Sequence, residues 1–247
     1  MKEARLRMAR GAVLTLAMGT VFAQDGPQMM RMTTAKVKLG MNAEYEALQK
    51  ELNEALKKGG VPWRHVWTTT MFGDAGTYIS VTPISKFAEF DQPSPAAKAM
   101  GDAKYQQYLA RAGRCLDSVN YRAIVYRPDL SLMSDRQSEP GLALVVTLVL
   151  TPGKEEAYEA IIKSDIMPAL KKAGVKDAWM HKTMFGGSAS EYTVVLLYNK
   201  FADVDAGSPL ARGLGPDGVA ALRAKTQGMI QSTSYTFIRN IPELGYQ

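Results

Sequence analysis

The chain has 247 residues, 46% of them hydrophobic, with 30 basic and 24 acidic side chains and a formal charge of +6. A scattered excess of that size does not predict nucleic-acid binding. Cys115 is the only cysteine, so no internal disulfide can form and the fold must be held by its apolar core.

The first 23 residues read as a signal peptide. Lys2, Arg5, Arg7 and Arg10 form a basic stretch, Gly11–Phe22 is apolar and uncharged, and Val21-Phe22-Ala23 suits a peptidase cutting before Gln24. The apolar run of twelve residues falls short of the roughly 20 that span a bilayer, so no stable membrane insertion is expected after cleavage. No cysteine follows it to carry a lipid. The leader takes four basic residues and one acidic residue with it, which leaves 26 against 23, or +3. A periplasmic or secreted protein is expected.

From there the sequence is written twice. Thr33–Leu39 alternates like a half-buried strand, and its counterpart Leu142–Leu150 is a continuous apolar run. A helix follows each. Asn42 can cap the first, Tyr45, Leu48, Leu52 and Leu56 make its stripe, and Gly59-Gly60 stops it. Tyr158, Ile161, Ile162, Ile166 and Leu170 make the second stripe, with Gly174 as stop and Pro168 as an expected kink. Hairpins come next, Arg64–Phe72 with Thr77–Thr82 and Asp177–Phe185 with Tyr192–Tyr198, each with a glycine-bearing turn. Thr70-Met71-Phe72-Gly73 returns as Thr183-Met184-Phe185-Gly186, and Lys86-Phe87-Ala88 as Lys200-Phe201-Ala202. Ser94-Pro95 and Ser208-Pro209 are helix starts, and these helices are interrupted near Gly101 and Gly215. Closing strands are expected over Ser118–Tyr126 and Ser232–Ile238. The repeat offset is 113 before the Met-Phe-Gly turn and 114 after it, which puts the extra residue in the second hairpin loop.

The order is β-α-β-β-α-β, twice: an α+β chain of two ferredoxin-like units, over 30–128 and 141–242, with a polar linker over 129–140. In this element order, the Met-Phe-Gly hairpin and the Lys-Phe-Ala plus Ser-Pro helix start, the chain resembles the dimeric α/β-barrel superfamily, NIPSNAP-like and antibiotic-biosynthesis-monooxygenase-like proteins among them. The resemblance covers residues 30–242 and implies two antiparallel sheets packed as an intrachain barrel. It also implies a choice among cofactor-free oxygenases, haem-binding or haem-degrading enzymes, and proteins without known activity.

Alternation assigns faces within such a barrel. Taking the more apolar set as helix-facing leaves Lys36, His65, Trp67, Tyr78, Asn120 and Arg122 on the barrel side of the first repeat, and Met180, Lys182, Tyr192, Val194 and Leu196 on that of the second. Lys36 and Arg122 could hold an anion, and Trp67 and Tyr78 could stack a flat ring. Polar residues at the open ends of a barrel account for the same pattern without a ligand. Aligned at offset 113, His65 and His181 point to opposite faces, which argues against a shared metal site. Either alone could be an axial haem ligand, though a lone strand histidine is more often simply packed.

Met29-Met30-Arg31-Met32 could touch a soft metal; the methionines otherwise read as core filling. No phosphate loop, His-Glu-x-x-His, Cys-x-x-Cys or Gly-x-Ser-x-Gly is present. The sequence therefore names no catalytic residue, no metal and no cofactor. It leaves three readings: a barrel holding a small anionic or aromatic ligand, a cofactor-independent monooxygenase or haem-handling enzyme, or a filled barrel with a structural role. A homo-oligomer is left open.

Overall fold

The structure is a computed structural model and describes residues 28–135 and 141–247. The expected signal peptide and the end of the expected linker lie outside those residues. Eight strands close a barrel: β1 (Met29–Val37), β2 (His65–Thr69), β3 (Thr77–Pro83), β4 (Leu116–Tyr126), β5 (Leu142–Leu150), β6 (Ala178–Phe185), β7 (Glu191–Tyr198) and β8 (Ile230–Asn240). The order around it is β1-β3-β2-β8-β5-β7-β6-β4, and every pairing is antiparallel. Each half thus runs last-first-third-second, and the halves join through β2·β8 and β4·β6. Closure leaves the barrel interior as a space separate from the helix layer outside.

The helices are α1 (Asn42–Lys58), α2 (Pro95–Met100), α3 (Asp102–Cys115), α4 (Glu155–Ile161), α5 (Met167–Lys172) and α6 (Pro209–Thr226). Met41, not Asn42, stands at the first cap. Ser94 and Ser208 accept hydrogen bonds from Ala97 N (3.2 Å) and Ala211 N (3.3 Å), as the Ser-Pro pairs predict. Gly101 (φ 80°) and Gly215 (φ 71°) break both helices at equivalent points. The Lys-Phe-Ala motif also has a physical cause. Glu89 Oε1 accepts from the Ser85 and Lys86 N–H groups at 2.9 Å, and Asp203 Oδ2 from those of Asn199 and Lys200 at 3.2 Å. Each acid nucleates a 3₁₀ turn that presents its phenylalanine.

The extra residue of the second repeat does not sit in the hairpin. The first helices begin in step at offset 113, since Tyr45 N bonds Met41 O and Tyr158 N bonds Lys154 O. They end at offset 114, since Val61 N bonds Leu56 O and Val175 N bonds Leu170 O. Between them lies a π turn, Ile162–Ile166, that the first repeat lacks. Pro168 follows directly. It has no N–H for the carbonyl four residues back, and a widened turn accommodates both the proline and the added residue. The strands after it are therefore also 114 apart: His65 pairs with Val81, and Trp179 with Val195.

The ends of the two halves are exchanged. Leu130, in the segment expected to be a linker, packs into the second half's core with Leu148, Leu150 and Tyr158. Leu244 packs into the first half's core with Tyr45, Leu48 and Tyr78. Matching β-bridges, Leu132–Ala178 and Arg64–Tyr246, fix these crossings. Arg127 secures one by bonding Glu159 at 2.6 and 2.7 Å. Arg64, only 3% exposed, secures the other through Gln49 (2.5 Å), Asn53 (2.7 Å) and the Leu244 carbonyl (3.3 Å).

Candidate functional site: a cavity inside the barrel

The interior of the barrel at one end holds a cavity of about 170 Å³. All three tryptophans of the chain (Trp63, Trp67 and Trp179) and both histidines line it. Tyr126, Met30, Met32 and Met133 add to the wall, and Ile79, Val81, Val145, Val195 and Ile238 make it apolar. Met133, 47% exposed, marks where the cavity reaches the surface. Among the described residues no lysine, arginine or carboxylate lines it.

The strands place these side chains by simple alternation. His65 and Trp67 stand two apart on β2, and Trp179 and His181 two apart on β6. Because the halves correspond at offset 114, His65 matches Trp179 and Trp67 matches His181. The same two residue types occur in opposite order, so both histidines face inward. The expectation that they point to opposite faces came from the Met-Phe-Gly alignment, which is one residue out of structural register. A slip of one residue turns every side chain of a strand over.

Each imidazole has an aromatic neighbour. Trp63 lies 4.9 Å from His65, and Tyr126 lies 5.7 Å from His181, between ring centroids. Burial pushes His181 down from 6.5 to about 4, against a hydrogen bond with the Thr193 backbone that pulls the other way. At neutral pH this ring carries no charge.

None of the other predicted site residues lines this cavity, although Lys36 shares the inward face of β1 with Met30 and Met32, and Asn120 and Arg122 that of β4 with Ile124 and Tyr126. Tyr78 and Tyr192 face the helices, not the barrel. Their hydroxyls donate to Glu46 and Glu159 at 2.6 Å, and Tyr78 packs 4.9 Å from Tyr45. A tyrosine can bury its ring in the helix layer while its hydroxyl reaches a helix carboxylate, so polarity misassigned these faces. Met180 and Val194 also lie in the helix-side core, beside Tyr192. Lys36 Nζ donates to the Ala75 carbonyl at 2.6 Å. Arg122 is ion-paired with Glu191, which also accepts from Thr183 at 3.0 Å, and Arg122 Nε donates to Asn120 at 3.3 Å. Of the eleven residues assigned to the barrel side, only His65 and Trp67 line the cavity. Trp63, Trp179 and Tyr126 were missed. The usable signal was the alternation of Trp63, His65 and Trp67 and of Trp179 and His181, which puts each set on one face.

No protein-family model and no curated protein sequence matches the chain. Solved structures do match its fold. An anthrone oxidase-like protein aligns with a TM-score of 0.58 at 10% identity, over 88% of this chain and 92% of its own. A candidate monooxygenase from Fusobacterium nucleatum aligns with a TM-score of 0.57 at 10% identity, over 88% and 94%. A candidate chlorite dismutase aligns with a TM-score of 0.52 at 11% identity, over 87% and 96%. The fold is that of the dimeric α/β-barrel proteins, and here a single chain closes the barrel.

Proposed function

We propose that this is an exported protein of two tandem ferredoxin-like units whose barrel binds a small, neutral aromatic molecule. The observation that carries this reading is the convergence of every tryptophan and every histidine of the chain on one apolar cavity. Pockets that hold small ligands have this composition: mostly apolar and aromatic walls with few polar groups. The size suits one ring, since a dry cavity of roughly 150 Å³ takes benzene. An anionic ligand is disfavoured, because Lys36 and Arg122 are otherwise engaged and no other cation among the described residues lines the wall. Haem, which the fold resemblance brings with it, does not suit the lining. The space is of the size that takes one benzene ring, too small for a tetrapyrrole, and among the described residues no cationic side chain lines it to meet the propionates.

Tryptophan fluorescence tests the reading directly, because all three indoles report on the cavity. Titration with toluene and with phenol should give a saturable change that Trp67→Ala weakens. A flat response to both ligands would sink the binding function. A second reading, a cofactor-independent oxygenase acting on a ring held in the same cavity, is favoured by the oxidase and monooxygenase names of the structural neighbours. Oxygen uptake in the presence of a bound ring is its test.

A further inference from the structure

An apolar cavity would accept any ring of the right size, and His181, one of the two imidazoles in its wall, can make it choose. Thr193 and His181 are paired across β6 and β7, and both line the cavity. The His181 ring makes a hydrogen bond with the Thr193 backbone that favours its protonated nitrogen, which assigns one ring N–H as donor to that carbonyl. Burial keeps the ring neutral, so the other nitrogen holds a lone pair and no proton. Among the described residues that nitrogen has no hydrogen-bond partner. The buried side-chain nitrogens without partners, among the described residues, are Arg31 Nε and Trp179 Nε1. His181 itself lines the cavity, which is where an unpartnered ring nitrogen can meet a ligand. Trp179 Nε1 is sealed in the wall and does not compete for it.

We propose that this lone pair selects the ligand, and that the cavity is built for a one-ring phenol whose hydroxyl donates to His181. The inference rests on the aromatic-binding reading above. The chemistry fits on three counts. A phenol is neutral at neutral pH, as a wall without cations requires. It exceeds benzene by one heavy atom, which about 170 Å³ accommodates. It offers one donor, and the wall offers an acceptor held in place by its second hydrogen bond.

Phenol and toluene differ little in shape and differ in the donor, which makes them the test pair for the mature chain. Hydrophobicity alone favours toluene. The expected result is phenol binding about tenfold tighter, the size of one neutral hydrogen bond, with the ratio falling to one or below in His181→Phe. Toluene binding as well as phenol in the unmodified protein overturns the proposal while leaving the aromatic cavity intact. A phenol preference that survives His181→Phe also overturns it. If neither ligand binds, the binding function itself fails and this inference with it. Should His181→Phe not fold, the ring ¹⁵N resonances of the unmodified protein decide. The unprotonated nitrogen of His181 should move with phenol and not with toluene, and an equal response to both is the contrary result.

Discussion

Phe185, at the tip of the second hairpin, meets Phe87 of the first half edge-on, with ring centroids 5.4 Å apart and planes at 86°. The reciprocal contact is Phe72 of the first hairpin against Phe201 of the second half, at 6.0 Å and 75°. The two most conspicuous repeated motifs are thus the two sides of a clasp made twice. Edge-to-face pairs of this kind contribute about 0.5–1.5 kcal/mol beyond area burial. In urea unfolding, Phe87→Ala and Phe185→Ala should each cost about 1–2 kcal/mol, and a double-mutant cycle should return a coupling within that aromatic range. Additive losses would show that the two rings do not act as a clasp.

Arg64 should matter to stability although it does not line the cavity. It is buried and bonded to Gln49, Asn53 and the Leu244 carbonyl, with no carboxylate among those partners. Arg64→Ala leaves two buried amides short of partners and frees the C-terminal crossing. A loss of about 2–4 kcal/mol is expected. Deleting residues 242–247 should give a similar loss, and the combination should cost much less than the two added together.

His181 makes stability depend on pH in a definite direction. Its folded value of about 4 lies below the ordinary 6.5 of the unfolded chain. Between these values the unfolded state binds the proton and the folded state does not. The His181 contribution is therefore complete above about 6.5, falls as pH drops toward 4, and changes no further below that. The loss is on the order of 3 kcal/mol. Asp129 and Glu159, held low chiefly by hydrogen bonds from Arg127, add their own loss at more acid pH. Subtracting the His181→Phe unfolding curve from the wild-type curve isolates the histidine window, and a flat difference from pH 4 to 6.5 would contradict it.

Gly213 lets α6 lie directly on α5. A Cβ built there would come within 1.9 Å of the Ala169 carbonyl oxygen, so the backbones must part to admit alanine. Gly213→Ala should cost about 1–3 kcal/mol despite the better helix propensity of alanine. Thermal unfolding would show it as a clear drop in Tm, whereas an unchanged or raised Tm would mean that the helices can separate freely.

Local chemistry made much of this protein legible in its residues. The Ser-Pro starts, the glycine breaks, the order of strands and helices, and the likeness to a dimeric α/β barrel all follow from short-range signals that act within a few residues. Even the proline announced a disturbance in the second helix. What these signals could not supply was the register beyond it. Pro168 stands beside a π turn that absorbs one residue, while the Met-Phe-Gly motif sits one residue out of structural step in the two hairpins. Side chains on a strand alternate with a period of two, so that single residue decides which way His181, Trp179 and Met180 face. Only closure of the barrel, with its pairing partners fixed on both sides of each strand, settled those faces and brought the tryptophans and histidines to one cavity.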